Sequence, residues 1–326
     1  MLHAFDPKQE RSEGTEMNVD RRFVMGALAV ACAPRIALGF PTVGNREAAP
    51  PSSVELEKAV ESLIQDAGAA DVAVAFHDLA TGNELLVHAD VNFHPASTIK
   101  IPIMMEVFRQ AEEKAFSLDD RLAVKNDFVS IVDGSHFSLQ AVDDSETGLY
   151  RRIGERLTIR ELVRLMITES SNVATNMLVE RITPDRATAF MRTLGTNDVK
   201  VLRGVEDNKA YARGLNNAST ARGLMLILVR LAERAVVSAK ASDEMLAILR
   251  SQKFNEGIPS GLPSGTPVAH KTGSFTKVYH DVGIIEPKAR KPLVLVVFTR
   301  GIEKEPRAHR LVAEITRRVF AHATTS

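Results

Sequence analysis

Apolar positions change their period twice along this chain. From Asp71 the run DVAVAFHD sets Val72, Val74 and Phe76 on alternate positions, Thr81-Gly82-Asn83 interrupts it, and Leu85 and Val87 resume the alternation. Period two around a Gly-Asn turn predicts a β-hairpin. A helical pattern precedes the hairpin over 54–67, and helical spacing fills the chain from Ser97 to about Arg250. Within that stretch Thr158 to Glu161 (TIRE) has the spacing of a capping box, and Thr183-Pro184 sets a proline where a helix begins. Three strand-like runs follow between Pro267 and Gly301, the last nearly all apolar, and an amphipathic helix from Pro306 to about His322 closes the chain.

Strands at both ends with helices between them predict an α/β (α+β) fold. One antiparallel five-stranded sheet is built from the two ends and flanked by terminal helices, with an all-helical lobe, 97–250, inserted alongside. The 326 residues, 44% hydrophobic and 25% charged, suit such a domain. Lys plus Arg equals Asp plus Glu at 41 each, so no net field draws the chain to nucleic acid. The nine histidines show no ligand-like grouping, so no metal is expected. Neither a Gly-x-Ser-x-Gly elbow nor a phosphate-binding Gly-x-x-x-x-Gly-Lys loop occurs.

Composition shifts near the start. Arg21 and Arg22 precede an apolar run of about a dozen residues, too short to span a bilayer, and a small-residue site at Ala37-Leu38-Gly39. Residues 1–39 therefore read as an extension and export signal, by a Sec or twin-arginine route, and the mature protein is expected to be periplasmic or secreted, monomeric and without a membrane span. The single cysteine, Cys32, lies in that segment; Ala29 stands where a lipoprotein signal favours leucine. Residues 40–53 read as a Pro-rich linker before the domain at 54–326.

Candidate chemistry begins in FHPASTIKIPIMM, where Ser97 and Lys100 stand one helical turn apart on one face. The pair alone distinguishes little, because Ser274 and Lys277 share its spacing. Two further motifs follow: Ser170 and Asn172 in TESSNVATNML at a break between helical runs, and Lys271, Thr272 and Ser274 in AHKTGSF on the first strand after the helices. Ser-x-x-Lys, Ser-x-Asn and Lys-Thr-Gly, in that order, make the chain from Val54 onward resemble the class A β-lactamases and penicillin-binding proteins.

The resemblance implies a cofactor-free serine hydrolase. Ser97 would be the nucleophile and Lys100 its base, kept neutral by burial and by Lys271. Ser170 would pass a proton to the departing nitrogen, and Asn172 would hold Lys100 and the substrate amide. Lys271, Thr272 and Ser274 would bind the substrate carboxylate, with the backbone N–H groups of Ser97 and Ser274 around the oxyanion. Glu206 lies where the family's β-lactamases carry the carboxylate that activates the deacylating water.

The chain departs from the pattern in three places. Ala210 in EDNKA replaces a water-holding asparagine, Ser171 replaces aspartate in the second motif, and Phe275 stands where glycine is frequent. Three readings stay open: a β-lactamase, a D,D-peptidase or penicillin-binding-like amidohydrolase acting on peptidoglycan-like amides, and a binding protein that keeps the fold without turnover. Pro102 either breaks a helical rule for function or kinks the helix for packing. Ser130 to Leu139 is expected to overhang the site, His270 and His280 to be sheet residues, and the IMMEVF run to pack behind the nucleophile helix.

Overall fold

The structure, a computed structural model, describes residues 51–68 and 71–325. The export signal, Cys32 and most of the linker fall outside the described residues. Helix α1 (Pro51–Ala67) leads to β1 (Asp71–Asp78) and β2 (Glu84–Val87). A 3₁₀ turn, Ala96–Ile99, then opens the inserted lobe. The lobe comprises α2 (Lys100–Glu112), β3 (Arg121–Ala123), β4 (Phe128–Val129), β5 (His136–Phe137), β6 (Arg156–Thr158), α3 (Ile159–Thr168), α4 (Asn172–Ile182), α5 (Pro184–Thr193), α6 (Asn208–Ala212), α7 (Ala221–Ala232) and α8 (Ala239–Arg250). The chain returns to the sheet with β7 (Val268–Phe275), β8 (Val278–Ile285) and β9 (Leu293–Arg300) and ends in α9 (Glu305–Thr325).

Strand order is β2-β1-β9-β8-β7, with every neighbouring pair antiparallel, as the two-ended sheet requires. The alternation along β9 explains its unbroken apolar sequence. Val294, Val296 and Phe298 join the core shared with the lobe, whereas Leu293, Leu295 and Val297 join the core under α1 and α9. Each such side chain contributes roughly 1.5–3 kcal/mol through burial. The sheet is thus a wall anchored on both faces, and β7 is one of its two edges.

The lobe departs from an all-helical reading at two small ladders, β3 with β6 and β4 with β5. Two or three residues are too few to leave a periodic signal. Local signals elsewhere match the fold: Thr158 and Glu161 form a reciprocal capping box, and Pro184 is the first residue of α5. Pro102 falls in the first turn of α2, where backbone N–H groups have no partner inside the helix, so it breaks none of that helix's own bonds. Ile103, Met104, Met105, Val107 and Phe108 are buried in the lobe core.

His270 is a sheet residue with a structural partner. Its Nδ1 lies 2.9 Å from Asp281 Oδ1 on β8, and Asp281 Oδ2 accepts from the Ile258 backbone at 2.7 Å. Both side chains are buried, so removing either would leave a buried polar group of the other unpaired and cost about 1–3 kcal/mol.

Candidate active site

Three segments distant in sequence meet beside β7. Ser97 sits in the 3₁₀ turn just before α2, a geometry in which residues three apart eclipse. Thr272 and Ser274 lie on β7, and Gly273 between them allows the close approach: a Cβ there would stand 3.0 Å from Ser97 N and 3.1 Å from Pro95 O. Ser170 occupies the break between α3 and α4, and Asn172 opens α4. Ser97, Ser170, Asn172, Thr272 and Ser274 line one cleft of about 270 Å³.

Both lysines lie beneath that lining, fully buried. Lys100 Nζ donates to Ser170 O at 2.6 Å, Ser170 Oγ at 3.1 Å and Asn172 Oδ1 at 2.8 Å. Lys271 Nζ donates to the same Ser170 Oγ at 3.1 Å and to Thr272 O at 2.9 Å. Burial lowers Lys100 to about 7, opposed by the charges of Asp144 and Glu206. Burial, reinforced by the charge of Lys100, holds Lys271 well below the ordinary lysine value. Two ammonium groups sharing one hydroxyl disfavour each other's charge, and an amine titrating near 7 can exchange a proton at neutral pH.

Ser170 Oγ, accepting from both amines, has its two lone pairs engaged and its own proton left to point elsewhere. No hydrogen bond joins Lys100 Nζ to Ser97 among the described residues; the amine is held by Ser170 and Asn172 instead. The look-alike pair Ser274 and Lys277 shares no helix. Lys277 lies in the turn between β7 and β8 and pairs with Glu303 at 2.6 Å.

Glu206 is absent from the cleft lining; it faces a small neighbouring cavity with Ser130, Ser135 and Asp207 and meets the cleft through Asn172. Its Oε1 accepts from Asn172 Nδ2, so the one amide touches both Lys100 and Glu206. Burial raises the Glu206 carboxyl to about 7, helped by Asp144 and Asp143 and opposed by the Asn172 bond and by Lys100. Ala96, Ser170 and Glu206 all have positive φ, at 48°, 57° and 60°. Each non-glycine residue held so costs on the order of 1–3 kcal/mol, and this strain flanks or falls on the motif residues.

The Glu206 segment is laced by polar groups. Asp207 caps α6 through Ala210 N at 3.0 Å and accepts from Ser130 Oγ at 2.9 Å and Ile131 N at 3.0 Å. Arg203 donates to Leu215 O, Gly204 O and Asn216 Oδ1. Ser130 to Leu139 therefore clamps the loop that carries Glu206 and is absent from the cleft lining. Ala210 is buried and offers no polar atom beyond its backbone.

Sequence reasoning missed Asp143, Ser145, Glu256, Tyr279, Glu305 and His309, which also line the cleft, and Asp144, which accepts from Asn172 N; the acidic segment 143–145 carries no motif. His280 also lines the cleft. It is neutral, lowered to about 4 by burial, with Nε2 donating to His94 O at 3.0 Å and Nδ1 accepting from Thr299 N at 3.1 Å.

Known proteins resemble this chain in sequence and fold. The model of the β-lactamase enzyme family matches residues 55–323. A β-lactamase of Streptomyces lavendulae is 26% identical over 287 residues, covering 86% of this chain and 88% of that protein. The crystal structure of a β-lactamase from Sphaerobacter thermophilus superimposes with a TM-score of 0.68 at 26% identity, over 84% of this chain and 97% of that one. A structure described as PBP-A, 24% identical, shares the fold with a TM-score of 0.72 over 83% of this chain and 97% of its own. The chain belongs to the β-lactamase enzyme family, as a serine hydrolase related to the class A β-lactamases.

Proposed function

We propose that this protein hydrolyses β-lactams through an acyl-enzyme on Ser97. The observation that carries the reading is the Asn172 side chain, which ties Lys100 to Glu206 at a cleft that Ser97 also lines. Neutral Lys100 takes the Ser97 proton as Oγ adds to the lactam carbonyl. The backbone N–H groups of Ser97 and Ser274 hold the oxyanion, and the spare Ser170 proton goes to the ring nitrogen as the C–N bond breaks. Lys100 then returns its proton to Ser170, to which it is hydrogen-bonded. Glu206, ionised above about 7, takes a proton from water, whose oxygen displaces Ser97 from the acyl carbon. That proton passes back to the departing Ser97 Oγ, so that every group regains its starting state. Thr272 and Ser274 orient the substrate carboxylate. Lys271 acts from beneath the floor through Ser170, because its burial works against its serving as an exposed cationic anchor.

A second reading has its own support. Ala210 leaves the Glu206 loop one polar side chain short, which favours a slowly deacylating, penicillin-binding-like enzyme on peptidoglycan-like amides. Assays of the purified chain with penicillin G distinguish the readings. Turnover that vanishes in Ser97→Ala supports the β-lactamase; a lasting adduct without turnover supports the second. Unchanged hydrolysis by Ser97→Ala overturns both, and any Ser97-dependent catalysis removes a purely binding role. Export through residues 1–39 and a monomeric mature form complete the proposal. Fractionation with N-terminal sequencing tests the first and sedimentation the second.

A further inference from the structure

We infer that Asp144 is a positioning residue that holds Asn172, and through it the Lys100 and Glu206 side chains, by supplying to the start of α4 a carboxylate that the motif Ser170-Ser171-Asn172 lacks. The inference rests on the roles proposed above for Lys100 and Glu206.

Asp144 Oδ2 accepts from Asn172 N at 3.0 Å, Val173 N at 3.3 Å and Tyr150 Oη–H at 3.2 Å, and Oδ1 accepts from Glu146 N at 3.0 Å. Its side chain is buried, 6% exposed. The opening N–H groups of a helix have no partner inside it, and an anion there is favoured by the helix dipole. Ser171 satisfies Ala174 N with its hydroxyl, at 3.3 Å, and Thr175 N with its carbonyl, at 3.2 Å. Asn172 and Val173 are left, and Asp144 takes both. The residue whose amide bridges Lys100 and Glu206 is thus fixed at its backbone by a carboxylate 28 positions away in the chain.

The surrounding charges give the contact a chemical consequence. Asp144 faces Tyr150 from the 3₁₀ turn Leu149–Arg152, Lys100 from α2 and Glu206 from its loop, with Asp143 and Glu146 adjacent in sequence and Lys271 on β7 beyond Lys100. Glu146 turns its carboxylate to Gly148 N and Leu149 N. The Asp144 charge favours the protonated form of both Lys100 and Glu206. Neutralising it moves both titrations to lower pH.

The test measures acylation and deacylation by penicillin G on the full chain, from about pH 5 to about pH 9. Asp144→Asn keeps an acceptor for α4 and loses the charge; both profiles should move down by about one pH unit. Asp144→Glu keeps the charge and should retain the wild-type midpoints even where rates fall. Asp144→Asn profiles superimposed on wild type, or Asp144→Glu profiles displaced like those of Asp144→Asn, would overturn the inference and leave Asp144 a structural cap. Carboxyl carbon NMR of Glu206 reads the same displacement without substrate. If wild type forms no penicillin adduct, the functional reading fails, while the Glu206 midpoint in Asp144→Asn, lowered or unchanged, still decides the role of Asp144.

Discussion

Lys100 and Lys271 rest on regular elements with deep apolar backing, α2 in the lobe core and β7 on the sheet, while Ser97 and Ser170 sit in the short turns that lead directly into α2 and α4. Glu206 rests on a segment of a different kind, where Asp207, Arg203, Asn217 and Asn176 fix the backbone by side-chain hydrogen bonds. Apolar backing is spread over many residues and survives the loss of one. Polar lacing concentrates the same task in a few groups, each costing about 1–3 kcal/mol when its buried partner is left unmade. On the proposed roles, acylation is therefore built robustly and deacylation is the step most exposed to change.

Substitutions on each side should separate the two steps. Lys100→Met removes the proposed proton acceptor and should slow acylation about a thousandfold, read by stopped-flow with penicillin G, while the fold persists. Equal acylation by this variant would contradict the role of the floor. Asp207→Ala removes the acceptor of Ser130, Ile131 and Ala210, and should slow deacylation about tenfold with acylation nearly unchanged. Parallel loss of both steps would mean that floor and loop are not separate devices.

The smallest effect is on stability, with a sign set by Glu206. Its carboxyl is raised from 4.5 to about 7 on folding, so the native state holds that proton more tightly than the unfolded chain. The group costs nothing below about 4.5, its cost grows as pH rises from there to about 7, and it persists above. Glu206→Gln should melt a few degrees above wild type at alkaline pH and lose that advantage in acid. A pH-independent difference would show that Glu206 is not strained by its surroundings.

The same contrast explains what could be read from the sequence. Alternation at Val72, Val74 and Phe76 and the unbroken apolar run of β9 are local consequences of burial, so the sheet was legible. The motifs marked Ser97, Lys100, Ser170 and Asn172, and the structure brings them to one cleft or directly beneath it. What the sequence hid is long-range and polar. Asp144 reaches α4 from an irregular segment, and Ser130 reaches Asp207 across 77 positions, neither leaving a periodic trace. The depth of Lys271 was hidden too, because its strand reads alike whether its side chains face cleft or core.

The central claim, that Asn172 couples an acylating floor to a deacylating loop, is tested most directly by intact-protein mass spectrometry with penicillin G. Wild type and Glu206→Gln are followed over time. Wild type should gain one penicillin mass and lose it as product leaves, while Glu206→Gln gains the same mass and keeps it. An adduct that decays equally fast on both proteins would contradict the account, because the water would then be activated by a group other than Glu206.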